Sequence, residues 1–253
     1  YLLPEYKSGR HTNRITNWDA FDNIDEENDS KVDQITRLIQ YLKCLPIKTV
    51  SIDKLEADDI IAYMAKDMSK RFDSKSYIVS SDRDFLQLVD KNITVYRPIE
   101  REFYDVATVK EKFGIVPENF IHYKVLLGDA SDKVPGIKGL GKKGVLKRFP
   151  ELAEGVMPFD RLYDLSVERL KDSVVFARVV HDWERLINTK KIMDLEAPMV
   201  SDEEKEYLSQ LPLEPLNELR ILEFMSLYSE DGLNHHIKNT EFWLKDTFTR
   251  LTH

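Results

Sequence analysis

A single cysteine, Cys44, stands among 253 residues, so no disulfide can form within the chain and no Cys/His spacing for a structural zinc is available. Apolar runs are short. None approaches the 18 or so residues that a membrane-spanning helix needs, and no membrane partner is expected. Glycine is scarce at nine residues, and none sits in a GxxxxGK[ST] loop or a dinucleotide-binding turn. No nucleophile elbow of a serine–histidine hydrolase is present either. His122, His181, His235 and His236 read as surface or packing residues. One local absence matters more: from Lys133 to Arg148 there is no acid at all, although Asp and Glu number 45 in the chain.

What is present is a charge-rich globular composition, 42 % hydrophobic and 32 % charged, enough for one large domain or two modest ones. The formal net charge is −8. That total does not exclude a nucleic-acid partner, because a local basic patch is enough to meet a phosphate backbone. The patch is the 133–148 window, with six basic residues and four glycines. It directly follows two carboxylates three positions apart, Asp129 and Asp132.

Taken in order, residues 1–17 carry Lys7, Arg10, His11 and Arg14 among aromatics and turn formers, a solvated loop or a basic strap touching phosphates. Residues 19–33 are acidic and read as a connection or helix lead-in. Val32, Ile35, Leu38, Ile39, Leu42 and Leu45 then recur at helical spacing up to Pro46. From there the pattern is βαβ. The predicted elements are a strand at 47–52, a helix at 56–70 with Ile60, Ile61, Met64 and Met68 inward, a buried strand at 77–80, a short helix at 85–89 and a strand at 93–96. Strands alternating with helices predict an α/β fold with a mainly parallel central sheet flanked by helices. Asp105 is placed as the N-cap of a helix closing at Gly114, and Pro117 opens another running to about Leu127. A helix from about 141 to 149 follows, then helices over roughly 166–190, 202–210, 216–229 and 239–250.

Three acidic clusters are candidates for chemistry. Glu56, Asp58 and Asp59 follow the first predicted strand, Asp82 and Asp84 follow the second, and Asp129 with Asp132 make the third. In such sheets ligands collect beyond the carboxyl ends of the strands. Acids in a helix's first turn also complement its dipole, worth about 0.3–1 kcal/mol each, and singly that role would suffice. Gathered together the clusters need another explanation, since two carboxylates about 4 Å apart repel by roughly 4 kcal/mol at an effective dielectric near 20. Cations among them would relieve this. All-oxygen ligation suits Mg²⁺ first, with Mn²⁺ able to replace it. Two such ions can activate a water, bind a scissile phosphate and stabilise the leaving oxygen.

The stretch from Val134 to Lys143 reads as a hairpin. Gly136, Gly139 and Gly141 remove side chains so that backbone amides can approach phosphate oxygens, and the following helix start favours the same anion. Lys138, Lys142, Lys143 and Lys147 add charge, and Ile137 and Leu140 serve as apolar anchors. A grip of this kind holds duplex without reading its sequence. A Gly-rich turn before a solvated basic helix is the plainer alternative.

At these residues the chain resembles a known family. LEADD (55–59), SSDRDFLQL (80–88) and GDASDKVPGIKGLGKKG (128–144) resemble the 5′-nucleases: flap endonucleases, the 5′→3′ exonuclease domains of bacterial DNA polymerase I, and stand-alone bacteriophage replication exonucleases that remove RNA primers. The resemblance covers about residues 1–150, and the length favours a stand-alone enzyme. It implies that Glu56, Asp58, Asp59, Asp82, Asp84, Asp129 and Asp132 hold two divalent ions. It also implies that 133–148 belongs to a helix–hairpin–helix element gripping duplex, with a K⁺ ion on its backbone carbonyls. Lys7 and Arg10, in YKSGR, resemble the YKxxR segment at the foot of a helical arch and would steer the scissile phosphate. The family's further Asp on its first strand and another before YKxxR are not in the sequence, and residues preceding Tyr1 are expected to supply them.

The resemblance implies three parts: a nuclease core over 1–127 with the arch remnant at about 1–45, the helix–hairpin–helix element at 128–150, and a helical region at 151–253. The expected activity is Mg²⁺-dependent, structure-specific 5′-nuclease cleavage of flaps, nicked duplex and RNA–DNA primers in replication or repair. A monomer is expected, in a reduced cytoplasm, that of the bacterial host if phage-encoded. The final segment TEFWLKDTFTRL reads as a packing helix, or as a docking helix for a sliding clamp or single-strand-binding protein. The rivals are a catalytically incomplete DNA-junction binder of the same fold and a metal-dependent phosphatase on small substrates.

Overall fold

The structure is a computed structural model that describes Tyr6, Asn17 and residues 19–251. Its helices and strands run α1 (Ile24–Lys43), α2 (Ala57–Phe72), β1 (Ser76–Val79), β2 (Ile93–Arg97), β3 (Glu102–Tyr104), α3 (Val106–Phe113) and α4 (Phe120–Leu127). The short strands β4 (Gly128–Asp129) and β5 (Val134–Pro135) precede α5 (Lys142–Arg148) and α6 (Glu151–Glu154). Then come α7 (Arg161–Glu168), α8 (Val174–His181), α9 (Trp183–Met193), α10 (Asp202–Gln210), α11 (Ile221–Glu230) and α12 (Thr240–Phe248). The chain forms two compact units, one of Tyr1–Arg10 with Asp53–Leu208, the other of His11–Ile52 with Ser209–His253.

The first unit is α/β. Its sheet has the order β1-β2-β3, with β1 parallel and β3 antiparallel to β2. The strand β3 was not foreseen and makes the sheet mixed. Ile78, Val95 and Tyr104 turn into the main core, joined there by Phe85, Leu86 and Leu88 of the 3-10 turn Asp84–Leu88 and by Phe120 and Leu126 of α4. Asp105 caps α3 by accepting the Thr108 amide at 2.8 Å, and Gly114 closes it in the left-handed conformation, as the cap chemistry predicts. The face of α2 that is buried differs from expectation. Ala62, Ala65 and Ser69 pack inward beside Ile60 while Ile61 is exposed, because small residues let the helix lie close to the sheet. The strand β1 is an edge, so Tyr77 and Val79 face outward instead of being buried.

The second unit is helical. Asn23 caps α1 by accepting the Glu26 amide at 3.0 Å, and Asp25, Glu26 and Glu27 fill its first turn, so the helix begins well before the apolar spacing at Val32. That spacing does not mark the buried face: Val32, Ile35 and Leu38 are exposed, whereas Cys44, Leu45, Phe224, Tyr228 and Leu244 form the unit's core. Trp243 of α12 packs on the same core, so TEFWLKDTFTRL includes a packing helix. Residues 47–52 do not form the expected strand. A strand needs a neighbour, and here the Ile47 amide turns back to Leu45 O at 2.8 Å while Ile47 O accepts from Asn217 Nδ2 at 3.1 Å.

One buried group makes the first unit sensitive to acid. His122 on α4 is 5 % exposed, its ring lies 5.3 Å from that of Phe159, and its Nδ1 has no partner among the described residues. Burial first, and the positive charge of Lys190 second, push its pKa down to about 4. Below the ordinary histidine value the unfolded chain therefore binds a proton that the folded chain refuses, so stability falls as pH drops from about 6.5 to about 4. Urea unfolding should show a loss of about 2 kcal/mol between pH 7 and pH 5, absent in His122→Leu. An equal loss in both proteins would assign the effect elsewhere.

Candidate active site

The three acidic motifs, separated by up to some seventy residues, meet on one pocket of about 140 Å³ lined by Glu56, Asp58, Asp59, Asp82, Asp84, Asp129 and Asp132. Tyr6, Ser131, Ile192, Met193, Leu195 and Met199 complete its wall. All seven acids foreseen in the sequence are there. Lys7 and Arg10 lie outside the described residues.

Each motif is held by its own device. Glu56 is the N-cap residue of α2, which puts Asp58 and Asp59 in the helix's first turn, where the dipole favours them. Asp59 Oδ1 accepts the Met199 amide at 3.0 Å, tying α2 to the segment after α9. The Asp82 motif leaves β1 in a tight turn: Asp82 N donates to Ser80 Oγ at 3.1 Å, and Asp82 Oδ1 accepts the Asp84 amide at 2.9 Å. Behind it, buried Arg97 donates to Ser81 O at 2.8 Å and pairs with Glu100. Gln87, 2 % exposed, donates to Asp84 O and Met193 O and accepts the Leu195 amide, so the turn and the end of α9 move as one.

Asp129 sits on β4, paired with β5 in register Gly128–Pro135 and Asp129–Val134. The ribbon is unusually close. A Cβ on Gly128 would lie 2.2 Å from Gly136 N, and one on Gly136 would lie 2.0 Å from Leu127 O, so neither position admits a side chain. Gly136 is therefore accounted for by packing within the chain. Gly139 has φ +82°, and a Cβ on Gly141 would meet open space, as expected where a ligand comes close. Lys138, Lys142, Lys143 and Lys147 are exposed on and after this segment, and Ile137 and Leu140 are buried as the anchors they were taken for.

One residue went unnoticed in the sequence. Lys124 interrupts the otherwise buried run Phe120–Leu126 of α4, and its side chain is 14 % exposed. Its Nζ pairs with Asp84 and donates to Asp129 Oδ2 at 2.9 Å. Burial lifts the Asp84 carboxyl to about 6, with Lys124 opposing. Burial also pulls Asp129 upward, but the Ser131 and Lys124 hydrogen bonds outweigh it and hold that carboxyl at about 2. Lys124 loses to burial and gains more from the two acids, so its pKa is raised. A lone lysine in an apolar helix five residues before Asp129 was the signal available.

The donor set fits a hard divalent ion. All seven acids offer oxygen donors, and among the described residues Lys124 pairs with two of them, Asp84 and Asp129. Among the described residues no three of the acids are drawn together closely enough to hold one ion, so binding requires these side chains to turn inward. Lys124→Met should lower stability in EDTA by about 2–3 kcal/mol, since it strands two mostly buried carboxylates. Millimolar Mg²⁺ should then raise the melting temperature of the variant more than that of the wild type; an equal rise in both would detach Lys124 from the metal-binding acids.

Residues 1–114 match the family model for the 5′-3′ exonuclease N-terminal, resolvase-like domain. A 5′-3′ exonuclease of Buchnera aphidicola is 38 % identical over 118 residues, which are 47 % of this chain and 41 % of that relative. The chain thus spans less than half of that relative's length. The fold is similar to T5 5′-exonuclease with divalent metal ions (zinc) bound, at TM-score 0.66 and 22 % identity, covering 85 % of this chain and 78 % of that one. It is also similar to the bacteriophage T5 flap endonuclease in a pseudo-enzyme–product complex with DNA and metal ions, at TM-score 0.64 and 21 % identity, covering 84 % and 77 %. With its motif acids on one pocket, the chain has the fold of these nucleases, and its residues 1–114 are similar to the N-terminal resolvase-like domain of 5′-3′ exonucleases.

Proposed function

We propose that this protein is a divalent-metal-dependent, structure-specific 5′-nuclease acting on DNA flaps, nicked duplex and RNA–DNA primers, with Mg²⁺ as the working ion and Mn²⁺ able to replace it. The observation that carries the reading is the meeting of all seven motif carboxylates on one pocket, next in sequence to an exposed basic segment. Glu56, Asp58, Asp59, Asp82, Asp84, Asp129 and Asp132 would hold two ions. Bound there, such ions supply Lewis acidity toward a phosphodiester and ionise a water near neutral pH.

The chain's own residues do the rest. Arg97 and Gln87 keep the Asp82–Asp84 turn rigid, and the Gly128–Gly136 contact fixes Asp129 against the basic segment. Lys138, Lys142, Lys143 and Lys147, with the amides around Gly139 and Gly141, would meet backbone phosphates of duplex. The Leu126 carbonyl accepts the Ile137 amide at 2.8 Å, so the phosphate-gripping loop hangs from the same helix end that presents Asp129. A fixed distance between grip and acids would decide where along the strand a cut falls. The nuclease core, the hairpin element and the C-terminal helices are proposed to divide the work as the resemblance implies.

Full-length protein should cleave a labelled 5′-flap in Mg²⁺, and Asp82→Ala and Asp129→Ala should each lose at least about a hundredfold in rate. Wild-type-like cleavage by both variants would sink the site assignment. Tight flap binding with no cleavage in Mg²⁺ or Mn²⁺ would select the junction-binding alternative. Lys142→Ala with Lys143→Ala should weaken duplex binding for any sequence and lower the slope of log affinity against log salt by about 2. Unchanged DNA affinity would revive a phosphatase acting on small substrates.

A further inference from the structure

The resemblance implies a K⁺ ion on backbone carbonyls of the hairpin, and the structure gives several of the hairpin's carbonyls partners within the chain. We infer that Arg178 of α8 and Arg185 of α9 are positioning residues that brace the hairpin in place of a monovalent cation. This rests on the reading of the hairpin as a duplex grip. Arg185 Nη1 donates to Pro135 O at 2.5 Å, and Arg178 Nη1 donates to Lys138 O at 2.7 Å. Between them Ile137 O accepts the Leu140 amide at 3.0 Å, and beyond them Gly141 O accepts the amides of Gly144 at 2.8 Å and Val145 at 3.0 Å. Four carbonyls of the loop are thereby used within the chain.

Guanidinium suits this task. It is always charged, its donors are fixed in a plane, and its hydrogen bonds to carbonyl oxygen are charge-assisted. The brace is itself anchored: Arg185 Nη2 donates to Asp182 Oδ2 at 2.7 Å, at the junction where α8 ends and α9 begins. Val179 and Leu186 hold the two helices in the core, both fully buried. Arg178 also shapes the turn, for a Cβ on Gly139 would come within 3.1 Å of its Nη1. With two guanidinium nitrogens against Pro135 O and Lys138 O, a K⁺ ion at those oxygens would face like charge. The amides of Lys138, Gly139 and Gly141 have no acceptor among the described residues, and the brace leaves them for an anion.

Fluorescence anisotropy on a nicked duplex, with the full-length protein at fixed ionic strength, tests this in KCl, NaCl and tetramethylammonium chloride. Wild-type affinity should be the same in all three salts within about twofold, because counterion release ties it to salt concentration and not to the identity of the cation. Arg178→Met with Arg185→Met should lose roughly tenfold or more, the loss expected when charge-assisted hydrogen bonds are removed. The slope of log affinity against log salt should stay at its wild-type value, because braces touch carbonyls and not phosphates. Arg178→Lys with Arg185→Lys, which keeps a donor and a charge at each place, should recover most of the affinity. If the Met variant does not fold, the Lys variant and the wild-type salt series carry the test.

K⁺-dependent binding by the wild type overturns the inference and leaves the duplex grip standing. So does a slope lowered by about 2 in the Met variant, which would make the arginines phosphate contacts. Wild-type affinity in the Met variant overturns it as well. No duplex binding in any salt overturns the grip and the brace together.

Discussion

Repulsion among carboxylates is the constraint on which this molecule turns. Two of them about 4 Å apart cost roughly 4 kcal/mol at an effective dielectric near 20, and seven line one pocket. No local preference assembles such a group; it must be held by everything around it. The first turn of α2 offers helix-dipole relief to Asp58 and Asp59, the Asp84 amide holds the Asp82 carboxylate in the turn after β1, and Lys124 pairs with Asp84 and Asp129. The buried braces behind them, Gln87 and Arg97, hold the Asp82–Asp84 turn in place. A pocket lined by this many carboxylates is also one that rewards the arrival of cations.

Much of this was legible in the sequence because the information was local. The three acidic motifs carry their own turns and helix starts, and the α3 caps, the 3-10 turn that Pro117 opens ahead of α4 and the span of α10 follow from short-range rules. What was not legible depends on partners far away in the chain. The strand β3 exists because Phe103 and Tyr104 pair with β2, whereas 47–52 has strand-like composition and no ladder to join. Apolar spacing on α1 gave the helix but not its buried side, since burial is decided by what packs against it. The pattern around Gly136 suggests an opening for phosphate, and the crowding around Leu127 O explains the glycine instead. Arg178 and Arg185, forty and fifty residues beyond the carbonyls they hold, give no sign in sequence at all.

Between the acids and the basic segment lies a very short mechanical path. Asp129 follows Gly128 on β4, Gly136 follows β5, and the two glycines meet where a side chain on either would collide with backbone. The Ile137 amide then returns to Leu126 O, two residues beyond Lys124 on the same helix. Any displacement of the loop by a bound phosphate backbone is therefore felt at Asp129 and at the lysine that bridges it to Asp84. Grip and chemistry share one scaffold, with no flexible joint between them in the described residues.

The net charge of −8 sets the last condition. A chain that is negative overall gains little from long-range steering toward DNA, and at physiological ionic strength the basic window acts over only about 8 Å. Its hold on a phosphate backbone must come from contact: amides aimed in advance and lysines placed within reach. Contact binding suffers most from a loop that must be ordered on arrival, because that ordering entropy is charged against affinity. A loop pinned at both ends by packing and in its middle by two guanidinium groups has little left to order. Rigidity in the hairpin is thus the physical complement of an acidic protein that has to hold an acidic partner.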